Sequence, residues 1–197
     1  MAYHLYQTPG WIVASQPSGE ASRLFKIFTR ELGLVTAIGQ GARKNHSKLR
    51  YHLRDLGVAE VALIRGREYW RLTGVAEQIW ANDIFNNPTK RQAAAKVFFV
   101  LNRLIHGEEK SLALFDNLQA GLLFLASTNL QTRDLARWIM VAEMRVLRHL
   151  GYWPDEPAVA SLVNGVDWSE EALAPLNAVT MTRALSLLQQ ALNHSHL

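Results

Sequence analysis

The sequence predicts an α+β protein in which a small N-terminal β-barrel precedes an all-α helical domain. Residues 3–72 contain short runs of alternating apolar and polar side chains separated by glycines, which is typical of β-strands. After residue 76 the apolar residues recur at a spacing of nearly four, which indicates helices. We therefore divide the chain of 197 residues into a barrel domain at 1–78 and a helical bundle at 79–197.

Five short strands are expected in the first part of the chain. They are residues 3–14, 24–28, 34–38, 58–64 and 69–72. Pro17 and Gly19 predict a turn over residues 15–19, while Gly33 and Gly66 separate later strands. Five strands of this length within about 75 residues suit a small closed barrel of the OB type.

The second part of the chain is expected to be helical throughout. Apolar positions predict a helix that Pro88 opens, a second over residues 112–125, and a third over residues 135–150. Gly151 ends the third helix, and prolines then mark a loop. Residues 168–194 supply one or two more helices, opened by Asp167 or Ser169 as a capping residue.

Charge is unevenly distributed between the two parts. Residues 1–75 contain 11 Lys and Arg against 5 Asp and Glu, whereas residues 76–197 contain 10 against 12. Such an asymmetry points to a nucleic-acid-binding half joined to a half with another role. The alternative is that a formal net charge of +4 describes a protein with no such ligand, since many proteins are mildly basic.

A glycine-punctuated basic segment follows the third predicted strand, and cations of the second strand precede it. Guanidinium and ammonium groups neutralise phosphates, so this concentration favours a polyanionic ligand. Gly39 and Gly41 are assigned to the shape of the loop rather than to contact. The candidate DNA-binding residues are Arg23, Lys26, Arg30, Arg43, Lys44, Lys48 and Arg50.

Aromatic side chains near this segment are candidates for base stacking. They are Phe25, Phe28, Tyr51, Tyr69 and Trp70. For Phe25 and Phe28 the equal alternative is core packing, because only one face of a strand can point outward.

Several classes of function lack support in the sequence. No nucleotide-binding loop, nucleophile elbow or paired metalloprotease histidines are present, so we expect no active site and no cofactor. The absence of cysteine excludes disulfides and thiolate metal sites, and we expect no metal. No long apolar segment or signal-peptide pattern occurs, so the cytoplasm is the expected compartment.

The third predicted helix carries a second candidate site. Arg137, Arg145 and Arg148 are interleaved with apolar residues such as Met144. A groove that is both basic and apolar would receive an acidic peptide with an apolar end. The alternative is that these arginines form the solvated face of a packed helix.

Two separated stretches of the chain carry motifs in a fixed order. The first lies within residues 1–80, and the second is the stretch EMRVLRHLGY at residues 143–152. The motifs of the first stretch are Gly19-Glu20, Arg23-Leu24, Phe28-Thr29-Arg30-Glu31 with Gly33, Gly39-x-Gly41-Ala42-Arg43, Ser47-Lys48-Leu49, and Arg65-Gly66-Arg67 with Trp70-Arg71-Leu72. Together the two stretches resemble the bacterial recombination mediator family RecO. Many family members carry a four-cysteine zinc motif after the second stretch. Here residues 153–157 contain no cysteine, so the resemblance implies a short, zinc-free member.

The resemblance implies a function in DNA repair and recombination. It implies non-catalytic binding of single- and double-stranded DNA, strand annealing, and help, with RecR, in loading RecA onto DNA covered by single-stranded DNA-binding protein. The acidic C-terminal tail of that protein would dock on the helical domain, and the chain would be found with the nucleoid. Two alternatives stay open: an OB-type RNA-binding module, and a protein-interaction adaptor that acts through its helical domain.

Overall fold

The computed structural model describes residues 4–43 and 56–194, with the side chain of residue 194 excepted. The chain divides into two compact units. One consists of Met1–Asn82 together with His106–Leu112, and the other of Asp83–Ile105 together with Ala113–Leu197. The predicted division at residues 78 and 79 did not anticipate that a segment beyond it, His106–Leu112, belongs to the barrel unit.

Five strands in the described part of the first unit form a closed barrel, which confirms the predicted fold class. They are β1 (Leu5–Ser18), β2 (Ser22–Thr29), β3 (Gly33–Gly39), β4 (Val58–Ile64) and β5 (Trp70–Glu77). Around the barrel the order is β1-β2-β3-β5-β4, and β4 pairs with β1 to close it. The pairing is antiparallel except between β3 and β5. Alternate side chains such as Phe25, Ile27, Val35 and Ala37 fill the interior.

The first strand is longer than the sequence predicts, and the predicted turn at residues 15–19 is wrong in position. β1 continues to Ser18 and pairs Pro17 with Arg23 of β2. β1 pairs with β4 as far as Trp11, and Ile12 hydrogen-bonds to the backbone of Leu56 and Gly57. Among the described residues, Pro17 has a strand partner only on the β2 side. Proline lacks an N–H donor and is tolerated at such an open edge. The chain reverses instead at Gly19, where φ is +61°.

Seven helices occupy the described part of the second unit and the junction before it. They are α1 (Asn82–Phe85), α2 (Pro88–Leu104), α3 (Leu112–Ser127), α4 (Thr132–His149), α5 (Ala160–Asn164), α6 (Glu170–Leu173) and α7 (Ala178–His194). Asn87 caps α2 by accepting from the N–H groups of Thr89 and Lys90, as the Pro88 start predicts. Gly151, with φ of +80°, follows the end of α4. Ser169 caps α6 through the N–H of Ala172, which decides between the two predicted capping residues.

Two tryptophans fix α3 in the second unit. Trp138 Nε1 of α4 donates to the carbonyl of Gly121 at 3.0 Å, and Trp168 Nε1 donates to the carbonyl of Asn117 at 2.9 Å. A Cβ on Gly121 would lie 2.8 Å from the Trp168 ring, so the absence of a side chain lets the indole reach the helix backbone. Among the described helices, none is long and apolar enough to cross a membrane.

Candidate nucleic-acid interface

One end of the barrel collects residues that are far apart in sequence. β2 begins there, because its start pairs with the end of β1 and with the end of β3. β4 ends there and β5 begins there, because Ile38 pairs with Arg71, and Arg71 pairs with Ile64. The turn after β1, the first residues after β3 and the turn after β4 are therefore brought together at this end.

Two predicted residues, Arg23 and Arg43, lie at this end of the barrel. Arg23 is paired in register with Gly39, and its guanidinium carbon is 5.9 Å from the centre of the Phe25 ring. The backbone N–H of Arg43 donates to the carbonyl of Ala21 at 2.9 Å, and its Nη1 donates to the carbonyl of Gly19 at 3.1 Å. Arg43 thus ties the segment after β3 to the turn between β1 and β2.

Lys26 lies on the outer surface of the barrel. Its neighbours Phe25 and Ile27 point into the core, whereas Lys26 is exposed and pairs in register with Thr36 of β3. Beside it, Leu24, Ile38 and Arg71 form a row across β2, β3 and β5, and each of these side chains is at least partly exposed. Lys26 and Arg71 therefore share one outward surface.

Arg30 is separate from the other predicted cations. It follows the far end of β2, seven residues and so roughly 24 Å along an extended strand from Arg23. Its Nη1 lies 2.9 Å from a carboxylate oxygen of Glu31, whose other oxygen is 2.9 Å from Lys110 Nζ. The hydrogen bond from Lys110 and the nearby charges hold the pKa of Glu31 below its ordinary value. The structure thus places Arg30 in an ion-pair cluster at the opposite end.

The remaining predicted DNA-binding residues lie outside the described part of the chain. These are Lys44, Lys48 and Arg50.

Three further cations at this end were not among the predicted contacts. Arg65 and Arg67 lie in the turn between β4 and β5, and Arg71 lies at the start of β5; all three are exposed. Their spacing around Gly66 is visible in the sequence, but their proximity to β2 depends on the parallel pairing of β3 with β5. We use the name cationic face for Arg23, Lys26, Arg43, Arg65, Arg67 and Arg71. Among the described residues, the carboxylates at the same end are fewer: Glu20, Glu68 and Glu108.

Most of the predicted aromatic platforms are buried. Phe25 is 1% exposed, Phe28 is 0% exposed and Trp70 is 5% exposed. The prediction that bases stack on these three rings is therefore wrong. Phe25 and Trp70 pack inside the barrel, and Phe28 packs edge to face on Trp11. Tyr69 is partly exposed immediately before β5, and Tyr51 is outside the described residues.

A carboxylate from the segment His106–Leu112 reaches the turn between β4 and β5. Glu108 Oε1 accepts a hydrogen bond from Trp70 Nε1 at 2.9 Å, and its Oε2 forms an ion pair with Arg65. The Arg65 guanidinium also stacks over the Trp70 ring, 4.9 Å from its centre. One cation of the cationic face is therefore already matched by an acid of the same unit.

The four residues predicted to bind a partner peptide do not form one exposed face on α4. Met144 is 0% exposed and Arg145 is 2% exposed, so the part of the prediction that places these two on a docking surface is wrong. Arg145 donates to the carbonyls of Leu162 and Asp167 and lies 4.3 Å from the centre of the Trp168 ring. Burial lowers the pKa of Arg145 to about 10, against an ordinary value of 12.5.

The other two arginines of α4 are more accessible. Arg137 is paired with Asp134 and donates to the carbonyl of Leu176, and its side chain is 15% exposed. Arg148 is 43% exposed and pairs with Asp155 at 3.1 Å. It borders a cavity of about 230 Å³ whose wall includes Trp153 and Val163. Arg148 thus combines a cation with a partly apolar cavity.

In residues 4–43 and 56–194, no three His, Asp or Glu side chains converge in a way that could hold a metal ion.

Residues 1–76 match the family model described as the N-terminal domain of recombination protein O. The DNA repair protein RecO of Dehalococcoides mccartyi is 30% identical over 155 residues, which are 77% of this chain and 58% of that protein. The chain belongs to the RecO family. The RecO proteins of Acetivibrio thermocellus and Clostridium perfringens are 27% and 26% identical over 75% of this chain. The chain spans 58% and 59% of the length of these two RecO proteins.

Proposed function

We propose that this RecO-family chain is a non-catalytic DNA-binding protein that mediates recombination during DNA repair. The observation that carries the proposal is the cationic face, where six exposed or partly exposed cations from β2, β5 and two connecting segments lie on or beside one end of an OB barrel. The surface of β2 and β3, with the loops that border it, is where OB folds bind oligonucleotides. Membership of a DNA repair family supports the same ligand.

Binding of this kind would explain annealing without chemistry. A surface that neutralises the phosphates of two strands lowers their mutual repulsion, so complementary strands can pair without a nucleotide cofactor. We propose that the chain binds single- and double-stranded DNA, anneals strands, and helps RecR to load RecA onto DNA covered by single-stranded DNA-binding protein. It would then be found with the nucleoid.

The test is binding of a labelled single-stranded oligonucleotide across a salt series. We expect Lys26→Glu/Arg71→Glu to make the slope of log K against log salt shallower by about 1.4, because each phosphate contact contributes about 0.7. The matched control is Arg133→Glu/Arg183→Glu, which changes the net charge equally on exposed residues of the other unit. Circular dichroism of both variants checks that they are folded.

Each outcome of this test assigns the function. Equal slopes for the two variants would contradict DNA binding by the cationic face. Stronger competition by an RNA oligonucleotide of the same sequence would favour the RNA-binding module. No salt-dependent binding by the wild type would favour the protein-interaction adaptor.

A second proposal concerns the acidic C-terminal tail of single-stranded DNA-binding protein. Arg148 and the neighbouring cavity, with Arg137 nearer the start of the same helix, offer a cation and apolar walls, which suit an acidic peptide with an apolar end. We expect Arg148→Glu to weaken binding of a labelled tail peptide at least about tenfold, since it reverses a contacting charge. Arg133→Glu is the matched control, and equal affinities of the two variants would contradict this docking site.

A further inference from the structure

The segment His106–Leu112 fills a gap in the barrel wall. In the described part of the barrel, β3 and β5 pair at two positions, Ala37 with Trp70 and Ile38 with Arg71. Nearer the start of β3, the N–H of Leu34 donates to the carbonyl of Gly107 at 3.1 Å. The segment therefore takes a place beside β3 where the strand partner has diverged.

The backbone of this segment approaches the barrel very closely. A Cβ on Gly33 would lie 2.4 Å from the carbonyl oxygen of Glu109, which is closer than such atoms can pack. Gly33 also has φ of +69°, a conformation that favours glycine. The contact fixes the segment, and with it the neighbouring Glu108, against the barrel.

The Glu108 carboxylate binds two donors that could also bind another anion. Trp70 Nε1 and the Arg65 guanidinium converge on its two carboxylate oxygens. Guanidinium groups bind phosphate oxygens with the same paired geometry that they use for carboxylates. The arrangement is thus a site for an oxyanion, filled by a carboxylate of the same chain.

The pair is open to exchange. The Arg65 and Glu108 side chains are 60% and 43% exposed, and exposed ion pairs add little to stability. Arg65 lies beside Arg67 and is followed on β5 by Arg71. The sugar-phosphate backbone of a nucleic acid bound to the cationic face would therefore pass this site.

We propose that Glu108 occupies a phosphate subsite of the cationic face and competes with nucleic-acid phosphate for Arg65. When DNA binds, a phosphate oxygen replaces the Glu108 carboxylate on the guanidinium. The segment His106–Leu112 therefore lowers the affinity of the barrel for nucleic acid. This inference rests on the proposed function, because it concerns the same surface.

The test compares two glutamine variants of neighbouring glutamates. Glu108→Gln keeps an oxygen that can accept from Trp70 but removes the competing charge. Glu109→Gln makes the same change in net charge at an exposed residue whose described contact is through its backbone. We expect Glu108→Gln to bind single-stranded DNA about three- to tenfold more tightly than Glu109→Gln, because the phosphate no longer has to displace a carboxylate from Arg65.

A third substitution separates competition from a general change in charge. In proteins that carry Arg65→Gln, the difference between Glu108→Gln and Glu109→Gln should disappear, because the guanidinium for which Glu108 competes is gone. Thermal unfolding of each variant checks that the barrel is intact.

The outcomes distinguish this inference from the proposed function. Equal affinities of Glu108→Gln and Glu109→Gln, or weaker binding by Glu108→Gln, would contradict the proposal that Glu108 competes with phosphate. Salt-dependent binding by the wild type would still support the proposed function in that case. A difference that persists with Arg65→Gln would also overturn the competition. If the wild type shows no salt-dependent binding, the proposed function fails, and the subsite fails with it.

Discussion

Single residues show how burial changes the meaning of a charge in this chain. Glu143 lies on α4 with an exposed fraction of 8%, and burial raises its pKa from 4.5 to about 7. The positive charge of Lys96 on α2 lowers that pKa and so offsets part of the effect. From the sequence alone Glu143 would be expected to be an ionised surface residue. In the fold, burial makes its carboxyl group favour the neutral form.

This pKa predicts how stability depends on pH. Because the folded-state pKa exceeds the unfolded one, the folded protein retains the proton while the unfolded chain releases it between about pH 4.5 and pH 7. Stability is therefore lost as pH rises through this window. Glu143→Gln should remove this loss of stability. The difference in free energy of unfolding between Glu143→Gln and the wild type should therefore favour the variant more at pH 8 than at pH 5, by at most about 3 kcal/mol.

Urea unfolding at the two pH values measures this difference. Glu171→Gln, at an exposed residue of α6, is the matched control and should follow the wild-type pH profile. An unchanged pH dependence in Glu143→Gln would show that the carboxyl does not hold its proton in the folded state.

At the scale of elements, periodicity predicts most of the strands and the longer helices. The alternation that brings Phe25 and Ile27 into the core is visible in the sequence, as is the proline start of α2. The strand edge that tolerates Pro17 is not visible, because it depends on where β4 stops pairing with β1. The short helix α5 within the predicted proline-marked loop was likewise missed.

The sequence predicts only part of the candidate site, because pairing between strands and packing between helices are not visible in it. The sequence indicates that cations surround the glycines near residue 40, and Arg23, Lys26 and Arg43 do lie on or beside one end of the barrel. It does not indicate that Arg30 lies at the other end, or that Arg71 joins Lys26 across β3. Helical spacing groups Met144 and Arg145 with Arg148, but only the packing of Trp168 shows that Arg145 is buried.

At the scale of the whole molecule, we propose that nucleic acid binds the barrel unit through the cationic face. The six cations of that face all come from the barrel unit, while residues 76–197 contain more acidic than basic side chains. Because phosphate binding follows the local excess of positive charge, the site of contact should be confined to the first unit.

The most direct measurement is photochemical cross-linking of the wild-type chain to a labelled thymidine oligonucleotide, followed by mass-spectrometric mapping of the cross-linked peptides. We expect the linked peptides to fall within residues 19–73, with Tyr69, a partly exposed aromatic residue between Arg67 and Arg71, as one candidate for the linked side chain. The label should decline as salt is raised, because the contacts are with phosphates. Cross-links confined to residues 113–194 would contradict DNA binding by the cationic face.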